Sequence, residues 1–411
     1  MVSRHNNVLM IGWEYPPNNS GGLGVACQGM TEALAGANTQ IYFTLPYNIQ
    51  KQIKHMKMLN CYDPAWQTDP SQPPFLAYAS AVKKKTGKQV TAADLSTLPR
   101  SEIEMKVDRY ADLVSEQTKG ISDNYDIIHA HDWMSFPAGI KVKDQTKKPL
   151  VAHVHSSEYD RIPNGGGSDY IIRTERDGMR AADKIIAVSY YTKKLLVDKY
   201  NIDSKKIEVV YNGLTTFSTK VDKGSHHFAS KRPVVVFMGR LTMQKGADYF
   251  IEVAKQVIEQ KASTLFILAG RGDMYHELLF KTAASGLSAS VLFSGFVRGK
   301  QKAKLLNRAD VFIMPSLSEP FGLVALESMA CKTPVIAVNE GGYQETVVHQ
   351  KTGLLIKRKP QELAEAMELL ASDAKLRSRL GKNGFLRVKK YFNWSLHAQN
   401  LEKELLLLRN D

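Results

Sequence analysis

Two glutamates stand eight positions apart in SEPFGLVALESMACKTP: Glu319, followed by Pro320, Phe321, Gly322 and Leu323, and Glu327 within an apolar run. Proline suits the first position of a helix, which puts Glu319 near the N-cap. Eight helical residues advance about 12 Å and come back close to the same face. Carboxylates so placed hold hydroxyls at two ends of an extended ligand, and the free N–H groups of the first turn meet an anion between them. A cap followed by an unrelated surface glutamate accounts for the same letters. Upstream, GRLTMQKG (239–246) carries Arg240 and Lys245 in a short loop between an apolar run and a helical one. Two cations there fit a diphosphate, or are solvated loop charges. PPNNSGGLG (16–24) sets Gly21 and Gly22 ahead of a helix, where backbone N–H groups approach an anion or a tight turn needs positive φ. It is neither GxGxxG nor a Walker loop. LAGRGDM (268–274) puts Gly272 where a flat base rests on backbone, and HAHDW (129–133) ends a strand with His131, by itself a common structural choice.

These residues need elements to carry them. NVLMIGW (7–13), TQIYFTLP (39–46), YDIIHAHD (125–132), PLVAHVHS (149–156), KIIAVS (184–189) and IEVVYNG (207–213) read as strands with helical runs between most of them. A second series follows: VVVFMG (234–239), TLFILAG (264–270), VLFSGF (291–296), VFIMPS (311–316) and PVIAVN (334–339). Such alternation argues for parallel sheets covered by helices on both faces. Between the series, TTFSTKVDKGSHHFASKRP (215–233) is polar and reads as a linker, its two histidines as solvated loop residues. Residues 47–120, rich in Lys, Gln, Pro and Ser and including QKQIKHMKML, read as an insertion. The fold expected is α/β, with two doubly wound Rossmann-like domains at 1–214 and 215–392. Ligands of such sheets bind at the carboxyl ends of the strands, so two such edges facing across a cleft would enclose one ligand. With hydroxyls at both ends and a diphosphate between, that ligand is a nucleotide sugar.

The 411 residues are enough for two cores. Cys27, Cys61 and Cys331 are odd in number and form no CxxC pair, which disfavours disulfides and structural zinc. No apolar run reaches the length of a membrane span or matches a signal peptide, so a cytoplasmic location is expected. The net charge of +14 suggests an anionic partner, but no nucleic-acid module is recognisable. The charge is uneven: through Thr215, 26 Lys and Arg oppose 23 Asp and Glu, and beyond it 29 oppose 18.

The Glu319/Glu327 pair, GRLTMQKG, SGGLG and the terminal YFNWSLHAQNLEKEL match in kind and order over almost the whole chain. On these motifs the chain resembles the family-4 retaining glycosyltransferases of the GT-B fold. The resemblance implies that Arg240 and Lys245 bind the donor diphosphate and that Glu327 binds the ribose hydroxyls. Glu319 then contacts the transferred sugar, the backbone of Phe321, Gly322 and Leu323 holds sugar and distal phosphate, and Gly22 closes over the phosphates. It also implies a last helix (393–411) crossing back to the first domain, with closure hinged near Asn212-Gly213. HAHDW and HVHSSEYDR (153–161) look like the glycogen-synthase-like branch, where His131 lies beside the reacting sugar. Three positions depart from the pattern: Asn19 replaces the lysine of ADP-glucose users, Lys332 stands where glycine is usual, and Gln344 where proline is common.

Displacing a nucleoside diphosphate from a sugar builds negative charge on the leaving oxygen. No Asp-x-Asp is present to hold a metal, so Arg240, Lys245 and the helix N-terminus take that role and neither metal nor cofactor is expected. Retention, as the family implies it, needs no protein nucleophile, and Glu319 orients the sugar. The expected partners are a nucleotide-sugar donor, UDP- or ADP-glucose, and an α-glucan acceptor. A nucleotide-sugar epimerase and a membrane-associated transferase acting on a lipid or cell-envelope acceptor are the alternatives. A glycosidase needs no diphosphate site, and a non-catalytic sugar binder needs fewer filled polar positions. QKQIKHMKML is the candidate lipid-facing segment, although the small charge excess of the first half does not favour a membrane dock.

Overall fold

A computed structural model describes residues 6–19, 21–49, 52–66, 100–163, 165, 167–214, 232–260 and 263–410. The chain forms two compact units, Met1–Gly213 with Trp394–Asp411 and Leu214–Asn393. The linker positions 215–231, histidines included, lie outside the described residues.

The first unit is built on a seven-stranded parallel sheet. In chain order its strands are β1 (Asn7–Ile11), β2 (Gln40–Leu45), β3 (Lys57–Asn60), β4 (Ile127–His131), β5 (Leu150–Val154), β6 (Lys184–Ala187) and β7 (Ile207–Val209). Their spatial order is β3-β2-β1-β4-β5-β6-β7. The central strands are buried along their length, as strands covered on both faces must be, and this is why they read as near-continuous apolar runs. The order reverses between β1 and β4, and the crevice at that reversal is where such sheets bind ligands.

The second unit repeats the plan. Its strands are β8 (Val234–Met238), β9 (Leu265–Ala269), β10 (Val291–Gly295), β11 (Val311–Met314), β12 (Val335–Val338) and β13 (Gly353–Ile356). They are parallel, in the order β10-β9-β8-β11-β12-β13. Here the reversal falls between β8 and β11. It brings the loop carrying Arg240 and Lys245 beside the loop carrying Glu319.

One expectation needs correction. The stretch 47–120 is not an insertion at its described ends. β3 pairs with β2, and the helix Arg100–Lys119 buries Val107, Tyr110, Ala111 and Val114 in the first unit's core. Those four residues have the i, i+3, i+4, i+7 spacing of one helix face, hidden in a polar composition. Residues 67–99 lie outside the description. QKQIKHMKML (50–59), the candidate lipid-facing segment, runs into β3 with its last three residues, Lys57, Met58 and Leu59.

The last helix, Trp394–Asn410, belongs to the first unit. Ala398, Leu401 and Leu405 are buried there, Thr39 donates to Glu402 at 2.8 Å, and Lys184 lies 3.5 Å from Glu404. Each buried leucine contributes about 1.5–3 kcal/mol, enough to fasten the chain end. Where the chain returns, a Cβ on Gly213 would sit 2.5 Å from the Trp394 amide nitrogen. Among the described residues no helix is long and apolar enough to cross a membrane.

Candidate active site

In the second unit, Lys245 donates from Nζ to Glu319 Oε2 at 2.8 Å, with the two side chains only 15% and 11% exposed. Tyr343 donates from its hydroxyl to the same oxygen at 3.1 Å and lies 3.1 Å from Ser316 Oγ. Burial, with the Glu319 charge adding to it, pushes the Tyr343 phenol well above its ordinary range, so it stays a donor. The Gly342 amide donates to the Glu319 carbonyl at 2.7 Å. Glu319 is therefore held by backbone and side chain together. Arg240 donates to Gln244 Oε1 at 2.9 Å, and the Gln244 carbonyl accepts from the Leu317 amide at 2.8 Å. The β8 loop is thus tied to the β11 loop at the strand reversal.

Glu319 is not the helix cap. The helix is Leu323–Ala330, and its N-cap is Gly322 at φ +92°, in the left-handed region that favours glycine. No side chain caps it, which leaves first-turn N–H groups without intrahelical acceptors. Pro320 and Glu319 thus lie in the loop before the helix, and the one-face argument from eight helical steps does not apply. Phe321 is buried, its ring 5.8 Å from that of Phe392, and Leu323 opens the helix half-buried. Glu327 is buried and pairs through Oε1 with Lys302, while its buried Oε2 has no protein partner. Gly272 is exposed on one side and pressed against loop backbone on the other: a Cβ there would lie 2.3 Å from the Leu241 carbonyl oxygen. Lys332 adopts φ +58°, which explains why glycine suits that position.

In the first unit, Gly21 is the N-cap of the helix Gly22–Gly36 at φ −154°, again with no side-chain cap. That angle is open to any residue, so a positive-φ turn is not the reason for Gly21. Asn19 donates from Nδ2 to the Gly21 carbonyl at 3.1 Å, and Gly22 is exposed. His131 ends β4, where the sheet order reverses, and has company absent from any single motif. β4 and β5 pair with His131 opposite His153. Residues two apart share a face, so His129, His131, His153 and His155 gather on one side. His129 Nε2 lies 3.2 Å from His153 Nδ1, and His131 Nδ1 lies 3.2 Å from His155 Nε2. His397, from the last helix, stacks 6.4 Å from His153 and hydrogen-bonds the Tyr211 carbonyl at 2.8 Å. Burial drives all five imidazoles well below their ordinary range, to about 3 for His129 and His155 and about 4 for His397. They are neutral.

Asp132 and HVHSSEYDR serve to fix this end of the sheet. Asp132 Oδ1 accepts from the His155 amide at 2.7 Å. Ser157 and Asp160 cap each other. Arg161 bridges Glu158 at 2.8 Å and Glu175 at 2.7 Å, and Glu175 also bonds Tyr200. Sequence reading missed Tyr343, Lys302, Gln244 and the histidine partners. The two histidine motifs were the only available signal; nothing marks Lys302 among its neighbouring lysines.

The second unit can hold an anion at β8 and hydroxyls at Glu319 and Glu327; the first, taken by itself, offers a neutral donor or acceptor at His131. The family model described as Glycosyl transferases group 1 matches residues 218–387, and the one described as Glycosyltransferase Family 4 matches 83–216. An uncharacterised glycosyltransferase of Methanocaldococcus jannaschii is 29% identical, covering 97% of this chain and 96% of its own. A glycogen synthase of Mycobacterium tuberculosis is 27% identical over 95% of this chain and 92% of its own. A D-inositol 3-phosphate glycosyltransferase of Jonesia denitrificans is 30% identical over 67% of this chain and 70% of its own. Among solved structures, sucrose-phosphate synthase from Thermosynechococcus elongatus superposes with a TM-score of 0.78 at 22% identity, covering 98% of this chain and 99% of that one. With both units matched and the double Rossmann-like plan shared end to end, this chain belongs to the family-4 glycosyltransferases, retaining enzymes of the GT-B fold.

Proposed function

We propose that the protein transfers glucose from UDP- or ADP-glucose to an α-glucan, forming an α-linkage. The observation that carries the donor half is the strand reversal at β8 and β11, where Arg240 and the Lys245–Glu319 pair stand together. Arg240, Lys245 and the uncapped helix N-terminus neutralise the leaving diphosphate, so the reaction needs no metal. The diphosphate takes Lys245 as partner, and Glu319, still bonded by Tyr343, orients the sugar hydroxyls. The free oxygen of Glu327 takes a ribose hydroxyl while Lys302 holds the other oxygen. His131, neutral, hydrogen-bonds the sugar as positive charge builds on its ring. The acceptor oxygen attacks C1 on the face the diphosphate leaves, the C1–O bond to the diphosphate breaks, and the acceptor's proton passes to the leaving phosphate. The glucan reading is supported by HAHDW with HVHSSEYDR and by the glycogen synthase relative that spans both units. Asn19 favours UDP over ADP.

The test is purified protein with labelled UDP-glucose, ADP-glucose or GDP-mannose and a maltooligosaccharide series, with and without EDTA, products resolved by chain length. Extension by single glucose units, unchanged by EDTA, is expected. Label appearing only on a lipid or on a small phosphorylated acceptor rejects the glucan. Loss of all transfer on chelation rejects the metal-free clamp.

A further inference from the structure

The cluster around His131 offers more than one neutral imidazole to a sugar. Cys27, buried in the helix Gly22–Gly36, places its Sγ so that it and one ring nitrogen each of His131 and His155 lie within 4.8 Å of one another. The His131 Nδ1 to His155 Nε2 separation of 3.2 Å is the edge of a zinc tetrahedron, about 3.3 Å for bonds of 2.0–2.1 Å. Buried ring nitrogens are also left over. His131 Nε2, His155 Nδ1, His129 Nδ1, His153 Nε2 and His397 Nε2 have no hydrogen-bond partner. Two neutral imidazoles bonded to each other use one N–H and one lone pair, so each pair strands one N–H and one lone pair in the interior. A metal on the two facing nitrogens moves the proton they share to the outer nitrogen that lacked one, so both outer positions become N–H donors.

We propose that Cys27, His131 and His155 form a site for Zn²⁺ that inhibits transfer when filled. A thiol with two neutral imidazoles is a borderline-soft donor set, suited to zinc over magnesium, calcium or manganese. Binding exchanges the Cys27 thiol proton for the metal: the S–H bond breaks, the proton leaves to solvent and the thiolate sulfur bonds zinc. His155 is the partly exposed member and marks the way in. The inhibitory half rests on the proposed function. A divalent charge beside His131 opposes the positive charge that develops on the sugar ring, while the diphosphate clamp needs no metal.

Zinc alone, with magnesium as control, is titrated into the full chain without donor, and Co²⁺ is used as a spectroscopic substitute. One tight equivalent of zinc per chain and a thiolate-to-cobalt charge-transfer band are expected. Cys27→Ser removes the band, and His155→Gln weakens the tight equivalent by roughly 10–100-fold or more. Thermal unfolding without metal checks that both variants are folded, and the partly exposed His155 position keeps the test open should Cys27→Ser unfold. A tight equivalent that survives both substitutions, or moves only with His129→Gln or His153→Gln, overturns the assignment, as does the absence of stoichiometric uptake. Zinc bound at the site with undiminished transfer leaves the metal site standing and overturns both its inhibitory role and the placing of His131 at the sugar.

Discussion

The two units share one plan and differ in what they place at the strand reversal. The first presents neutral, desolvated imidazoles; the second presents ion pairs, Lys245–Glu319 and Lys302–Glu327, in the half of the chain that carries most of the positive charge. A fold fixes where a ligand meets the sheet, and side chains decide what chemistry waits there. Pairing keeps the second unit's groups charged, as the proposed diphosphate contact requires. Burial keeps the first unit's imidazoles neutral, as the proposed contact with the sugar requires.

The largest expected effect separates the units by acid. Folded, His129 and His155 titrate at about 3 and His397 at about 4; unfolded, each titrates at about 6.5. Between those values the unfolded chain binds more protons, so stability is present above about pH 6.5 and lost as pH falls toward 4. Each such histidine costs about 1.4 kcal/mol per pH unit, and three together approach a typical domain's whole stability within two units. All four tryptophans, Trp13, Trp66, Trp133 and Trp394, lie in the first unit, so tryptophan fluorescence in urea reports that unit alone. A midpoint that does not drop between pH 6.5 and 5 breaks the contrast.

Next comes the proposed diphosphate clamp. Arg240→Ala and Lys245→Ala are each expected to lower kcat by roughly 10²–10³, about 2.7–4 kcal/mol, with the fold intact. Near-normal turnover in both removes the second unit's claim to the donor phosphates. Lys302→Met leaves Glu327 buried without its cation. It should destabilise the second unit by about 1–3 kcal/mol in urea and raise KM for the donor; unchanged stability and KM make the pair incidental. The smallest effect is Tyr343→Phe, which removes one of two bonds to a Glu319 oxygen. About 1 kcal/mol, a few-fold in kcat, is expected, and a loss as large as that of Lys245→Ala assigns Tyr343 a greater part than positioning Glu319.

Most strands were legible in the letters because a strand covered on both faces has to be apolar throughout. The loop GRLTMQKG was legible for a related reason: it follows β8 directly, so its place at a carboxyl edge comes with the strand. β13 is four residues long, and the helix Arg100–Lys119 hides its buried stripe among charges. Neither announces itself in composition. The helix boundary at Glu319 was misplaced because proline at N1 is a statistical preference, whereas the backbone turn at Gly322 is decided by its φ.

What the letters settle alone is local: alternation of strand and helix, two domains' worth of apolar runs, and the carboxylates and cations that end them. Contacts between distant segments are a property of the packed chain. Lys302 reaches Glu327 from a separate helix, Tyr343 reaches Glu319 from beyond β12, and Cys27, His131, His155 and His397 come from four segments of the first unit. Periodicity and spacing encode which face of an element is buried. Which polar groups meet across that buried face depends on sheet order and helix docking, and those follow from the total burial of the chain.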